Sequence, residues 1–163
     1  MDSNLFRAEQ LGIKLEIAAG LPIWEASPVI FHQKAVDQIR ATIKNNKSES
    51  ENKCACVHYA DIYVQFPDGS LKRPDVSIFC EEPKETEEAV TSVPTVIVEV
   101  ISKSYEAKDL EISPPIYLNN GVKDVVVLNP YTNEVLHFSQ NTEPRKSTSP
   151  VNFSFECGCS CTV

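Results

Sequence analysis

The sequence predicts a single mixed domain of the α+β or α/β class, a mixed β-sheet flanked by helices, spanning residues 1–163. Three observations carry this expectation. Pro94 to Ile101 is a mostly β-branched run that is continuous rather than alternating, the pattern of a central strand covered on both faces. Phe31, Ala35, Val36, Ile39 and Ile43 recur at helical spacing, which predicts an amphipathic helix over about 28 to 45. Further strand-like runs lie on both sides of a second helical stretch that stops at Asn119-Asn120-Gly121, so one helix precedes the sheet and one falls inside it. At 163 residues the chain suits one core, and 42% hydrophobic with 23% charged residues is ordinary for a soluble globular protein.

The elements follow in order. Lys14–Ile17 and Leu21–Trp24 are short apolar-rich runs around Gly20 and predict a hairpin turned by that glycine. Ser27-Pro28 reads as a helix start, an N-cap followed by proline. Residues 45–50 are polar and predict a loop. Val57, Tyr59, Ile62, Val64 and Phe66 form a β-rich run that ends at the turn signal Pro67-Asp68-Gly69-Ser70. Pro74–Phe79 is the next strand, and the acidic run 81–88 predicts a solvated loop. Asp124–Leu128 and Glu134–Phe138 predict a hairpin, residues 141–150 a polar loop, and Val151–Cys161 a final strand.

Composition narrows the function classes. No apolar run approaches the roughly 18 residues of a membrane span, and Met1–Gln10 has no apolar signal core. Both predict a cytoplasmic protein with its six cysteines reduced. A net charge of −8 argues against a simple DNA-coating protein, because that affinity comes mainly from phosphate neutralisation. It leaves a nuclease open, since a metal can offset local acid.

Two segments carry the candidate chemistry. Arg73-Pro74-Asp75-Val76 and Val96–Ser102 each read as a buried strand with one acid, Asp75 and Glu99. A carboxylate on an apolar strand is costly unless paired, and a divalent metal is a common partner. A lysine or arginine salt bridge is the alternative partner for Glu99.

These segments also match a known family. "RPDVSIF", "VPTVIVEVIS", "DLEISPPIYLNNGVKDVVVLNP" and "LEIAAGLPIWEASPVIFHQKAV" together resemble the Uma-two family of the PD-(D/E)XK nuclease superfamily, over most of residues 11–138. The resemblance implies a restriction-endonuclease-like core and Mg2+- or Mn2+-dependent hydrolysis of DNA phosphodiesters. It implies that Asp75 and Glu99 are the metal-binding carboxylates and that the Val100 carbonyl is a third ligand. It also implies softer accessory roles for Glu16 in the N-terminal hairpin and His32 near the first helix. A homodimer is the expected assembly.

One part of the pattern is missing. The superfamily lysine two residues after the acid is replaced by Ile101, and the family's "DLxxKxxxY" pattern reads Asp109-Leu110-Glu111-Ile112-Ser113-Pro114-Pro115-Ile116-Tyr117, with Ser113 at the lysine position. Pro114 disfavours helical geometry at Ser113 and removes an amide donor, so the helix is expected to begin near Pro114. Lys108 and Lys103 are the candidate substitutes, Lys108 the better placed.

The remaining candidates are weaker. His58 and His137 lie in predicted strands with no acidic or cysteine pattern near them, and Trp24 with Tyr59 and Tyr63 reads as core or edge packing. Cys54-Ala55-Cys56 and Cys157-Gly158-Cys159-Ser160-Cys161 have C-x-C spacing, which on strands puts thiols on one side. Three functions therefore stay open: a metal-dependent endonuclease, an inactive nuclease-fold binding or regulatory module, and a zinc-stabilised interaction domain.

Overall fold

The computed structural model describes residues 7–8, 10–25, 28–46, 54–84, 86–104 and 106–163. In chain order the strands are β1 (Lys14–Ala18), β2 (Leu21–Glu25), β3 (Lys44–Asn45), β4 (Val57–Tyr59), β5 (Val64–Gln65), β6 (Leu71–Lys72), β7 (Val76–Phe79), β8 (Val96–Val100), β9 (Asp124–Asn129), β10 (Glu134–Ser139), β11 (Arg145–Thr148), β12 (Asn152–Ser154) and β13 (Cys159–Thr162). Helix α1 covers Ile30–Arg40 and α2 covers Ser113–Asn119, with a wide π-type turn, Lys108–Ile112, leading into α2.

A six-stranded mixed sheet in the order β11-β10-β9-β8-β7-β4 forms the centre. β8 pairs parallel with β9 and antiparallel with β7. The parallel pair needs a crossover, and the chain between β8 and β9, which contains the π-turn and α2, supplies it. Every residue of β8 is buried, as the continuous apolar run predicts. A second sheet, β2-β1-β6-β5, and a third, β12-β13-β3, pack around it.

Alternation along β8 builds two cores. Val96, Val98 and Val100 join Val36 and Ile39 of α1 with Phe155 and Cys159, while Ile97 and Ile101 join Tyr117 of α2 with Phe66 and Val125. Helices therefore cover opposite faces of the central strand, each contributing an apolar stripe.

Several expectations are confirmed. The 14–25 hairpin is present, with Ala19 (φ 48°) and Gly20 (φ 84°) supplying the left-handed turn. The hairpin expected from the two adjacent runs is present as β9–β10, and α2 ends before Gly121 at φ 102°. Of the core or edge positions expected for Trp24, it takes the edge, half exposed on β2.

Others are corrected. α1 starts at Ile30 after Val29, with no side-chain cap, and stops at Arg40; Lys44–Asn45 then adds β3 to the β13 edge. Ser27 and residues 47–50 lie outside the described residues. The expected 57–66 strand is two pieces, β4 and β5, which enter different sheets. The 141–150 loop contains β11, paired with β10, and the final run is a hairpin of β12 and β13. Four of the cysteines are bridged, Cys54–Cys80 and Cys56–Cys159, instead of reduced.

Candidate active site

Strand register brings the acids together. Val76 pairs with Val98 and Ser77 with Ile97, so continuing the antiparallel register by one step sets Asp75 opposite Glu99. Directly opposed residues share a face of the sheet. The Asp75 backbone N–H donates to Glu99 Oε2 at 3.0 Å, and the Val100 N–H donates to Asp75 Oδ2 at 2.8 Å. Each carboxylate therefore reaches across to the backbone of the other strand.

A second register does the same for Glu16. Ile17 pairs with Leu71, which sets Glu16 opposite Lys72. Lys72 Nζ lies 2.5 Å from Glu16 Oε2, and the Arg73 N–H donates to Glu16 Oε1 at 2.8 Å. Neither side chain has any solvent exposure. Ile17 of the same strand packs in a satellite core with Leu15 and Leu71, so this ion pair is tied down on its other side by apolar contacts.

The helices complete the site. His32, on α1, places Nε2 3.1 Å from Asp75 Oδ2. Lys108, on the π-turn, lies 3.6 Å from Glu16 Oε2 and 3.0 Å from Asp109 Oδ1. Tyr117, one turn of α2 beyond Ser113, donates its hydroxyl to Glu99 Oε1 at 2.5 Å. A small polar cleft is lined by Lys14, His32, Asp75, Val100, Lys108 and Asp109, with Pro28 and Ser102 at its margin. Glu99 lies beneath this lining, 1% exposed, with both oxygens engaged.

The π-turn explains how a lysine enters the cleft. The backbone is helical from 106 to 119, and Ser113 itself is α-helical at φ −71°, ψ −45°. The α-helix itself begins beside Pro114, as expected, and the unexpected feature is the helical π-turn that runs into it. Pro114 and Pro115 bring no N–H, and each ring crowds the carbonyl four residues back. Widening the turn relieves that crowding, and the Ser113 N–H then bonds the Lys108 carbonyl, five residues back. In a regular α-helix five steps of about 100° would leave Lys108 roughly 140° away from the Ser113–Tyr117 stripe. The wider turn brings Lys108 back toward that stripe. The Ser113 Oγ is buried with no hydrogen-bond partner among the described residues.

Proton affinities follow from this packing. Burial drives Glu99 up, the Asp75 charge adds to it, and Lys108 only partly opposes them, so Glu99 is raised to about 8. Burial also pushes Asp75 upward, but the His32 hydrogen bond and the Lys14 charge outweigh it and leave Asp75 below the usual carboxylate range. For His32, burial lowers the proton affinity, while Asp75 raises it further and wins. Glu16 is held at about 2: the burial penalty is overcome by Lys108, Lys72 and Lys14. Burial and the Glu99 charge keep Tyr117 a phenol, well above the ordinary tyrosine range.

The structure thus brings together Asp75, Glu99, Val100, Glu16, His32 and Lys108. Lys103 is exposed and does not line the cleft. Sequence reasoning missed Lys72, Lys14, Asp109 and Tyr117. No local signal marked Lys72, since only the pairing of β1 with β6 sets it opposite Glu16. His137, assigned no function from the sequence, has its Nε2 2.7 Å from Asp124 Oδ1 on the neighbouring strand.

A central mixed sheet with helices on both faces, and acids converging at a strand end, define a restriction-endonuclease-like α+β fold. The profile described as "Uma2: Putative restriction endonuclease" matches residues 4–156, and the chain belongs to that family. Among solved structures it is similar to a protein described as a putative nuclease of the DUF820 family from Anabaena variabilis ATCC 29413, with a TM-score of 0.59 and 17% identity, over 83% of this chain and 77% of that one. That likeness concerns the fold. No curated protein matches the chain.

Proposed function

We propose that this chain is a divalent-metal-dependent endonuclease that hydrolyses DNA phosphodiesters, with residues 1–163 forming one catalytic domain. The observation that carries the reading is the cross-strand meeting of Asp75 and Glu99 beside the Lys108 ammonium. The residues fit a hard cation. Two carboxylates and the Val100 carbonyl are oxygen donors suited to Mg2+ or Mn2+, and Glu99 retains a proton to about 8, a position a cation would take over. When bound, such an ion supplies charge neutralisation and a water of lowered pKa.

The chain's own groups have separable roles. Lys108 contributes a cation to the negative charge that builds on the phosphoryl oxygens. Its pairing with Glu16 and Asp109 holds the ammonium in the cleft. His32 fixes Asp75 in its ionised form through its Nε2. Tyr117 and the Asp75 N–H orient Glu99. Lys14, also lining the cleft, adds positive potential for a polyanion in an otherwise acidic chain.

The same reading places the protein in the cytoplasm as a homodimer. Support for the dimer is the solvent-exposed β11, an outer strand of the six-stranded sheet that offers an edge to a second copy. No described helix is long and apolar enough to cross a membrane. Ser113 at the family's lysine position favours a rival reading, an inactive binding module.

Plasmid cleavage separates the two. We expect nicking with Mg2+ or Mn2+ at low salt, lost in Asp75→Asn and Lys108→Met. A blank result with manganese, at protein concentrations that bind the DNA, selects the inactive module.

A further inference from the structure

The cysteines form a site that the nuclease reading does not use. Three distant segments converge on it. Cys54 and Cys56 precede β4, Cys80 follows β7, and Cys157 and Cys159 flank Gly158 at the start of β13. The local backbone is held in place for this. Ala55 N–H donates to the Cys80 carbonyl at 2.8 Å, and the Asn45 amide donates to the Cys54 carbonyl at 2.7 Å. Phe155 N–H donates to the Cys159 carbonyl at 2.9 Å, closing the turn around Gly158 at φ 96°. β3 then pairs with β13, tying the 44–45 segment to the same place.

The sulfurs are closer than two separate bridges require. Cys54 is bridged to Cys80, yet its Sγ lies 3.3 Å from Cys159 Sγ and 3.9 Å from Cys56 Sγ. The sulfurs of Cys54, Cys56 and Cys159 all lie within 4.8 Å of one another, and so do those of Cys54, Cys80 and Cys157. Zinc–sulfur bonds of about 2.3 Å in a tetrahedron separate the sulfurs by roughly 3.8 Å. The observed spacings bracket that edge. Cys54 belongs to both groups, and its bridge to Cys80 brings the Cys80 sulfur to the edge of the first.

We propose that in the reduced protein Cys54, Cys56, Cys80 and Cys159 bind one zinc ion as a structural tetrathiolate, and that the two bridges are the oxidised form of the same site. A dithiol reductant supplies two electrons and two protons to each bridge, opening it to two thiols while the reductant becomes a disulfide. Each thiol then releases its proton as it ligates the metal. Metal binding fastens the β12–β13 hairpin to the central sheet as the Cys56–Cys159 bridge does in the oxidised state. Cys161 is the built-in control. It lies on the same strand, two residues on from Cys159, yet it belongs to neither group of converging sulfurs among the described residues.

The test uses the full chain, reduced and freed of metal, then titrated with Co2+ and Zn2+. The expected result is one equivalent of Co2+ with sulfur-to-metal charge-transfer and tetrahedral ligand-field bands, displaced by Zn2+, together with a higher Tm. Asp75→Asn and Cys161→Ser should retain the spectrum, while Cys56→Ser and Cys80→Ser should each lose it. Reduced wild-type protein that gives no thiolate band with Co2+ overturns the proposal without recourse to any variant. Retention in Cys80→Ser with loss in Cys157→Ser overturns the ligand set. Because oxygen donors give no sulfur band, the result is independent of whether the acidic cleft binds Mg2+.

Discussion

Ser113 donates its backbone N–H to the Lys108 carbonyl, five residues earlier, and on the same helix Tyr117 donates its hydroxyl to Glu99. The lysine and the tyrosine therefore reach the site from one helical surface, even though their separation in sequence does not suit a regular helix. The widened turn between them links the double proline to the position of the ammonium.

That link can be broken. Pro114→Ala with Pro115→Ala returns two N–H donors and lets the turn tighten to α-helical spacing. We expect similar far-UV helicity but at least about a 10-fold loss of cleavage, because misplacing a charge by an ångström is enough. Adding Ser113→Lys to that double variant should recover activity from the family's usual position. Cleavage rates of the three proteins, measured side by side, decide it.

Lys108→Met should lower cleavage by about 100-fold or more, the usual cost of removing a positioned charge at a developing oxyanion. Lys103→Met, on exposed backbone away from the cleft, should leave it unchanged. Equal losses in the two variants would show that Lys108 has no special position.

The acidic groups give stability opposite dependences on pH. Glu99 is raised from 4.5 to about 8, so between those values the folded state holds a proton that the unfolded chain has lost. Its contribution is complete below about 4.5 and is lost as pH rises toward 8, at up to about 1.4 kcal/mol per pH unit for one proton. Glu16 is lowered from 4.5 to about 2, so its contribution is present above 4.5 and disappears as pH falls toward 2. Chemical denaturation without metal should show the alkaline decline between about 4.5 and 8. Glu99→Gln should flatten it, and saturating Mg2+ should flatten it in the wild type.

Lys72→Met should destabilise the fold by about 3–5 kcal/mol, since it leaves a buried Glu16 with one of its closest cations gone. The double variant with Glu16→Leu should recover much of that loss. Urea midpoints of the single and double variants measure the coupling. Additive losses would mean that the pair is not an energetic unit.

Tyr117→Phe should cost about 1–3 kcal/mol, because Glu99 Oε1 loses its donor in a dry setting. The thermal midpoint should fall, and Mg2+ should restore part of it by occupying the same carboxylate.

Legibility in the sequence followed the range of the physics. β8 was readable because both its faces are apolar, and the β9–β10 hairpin because its apolar runs are adjacent. Asp75 and Glu99 stood out as acids in apolar strands. Lys72 did not, because its partner lies 56 positions away and only the β1–β6 register reveals it. α1 was overextended, since Ile43 continues a helical period that the β3–β13 pairing overrides. The prolines were noted as an obstacle to the lysine; their effect on the upstream turn depends on i−4 crowding within a folded helix, which no local propensity expresses.

A motif defined by counting letters between acid and lysine passes over this chain, because the lysine that lines the cleft stands at another spacing, carried there by the wide turn. Relatives that carry paired prolines just ahead of the tyrosine should be searched by angular phase, with the ammonium sought five positions before the residue that precedes the prolines. Some chains set aside as degenerate would then return to the set worth assaying.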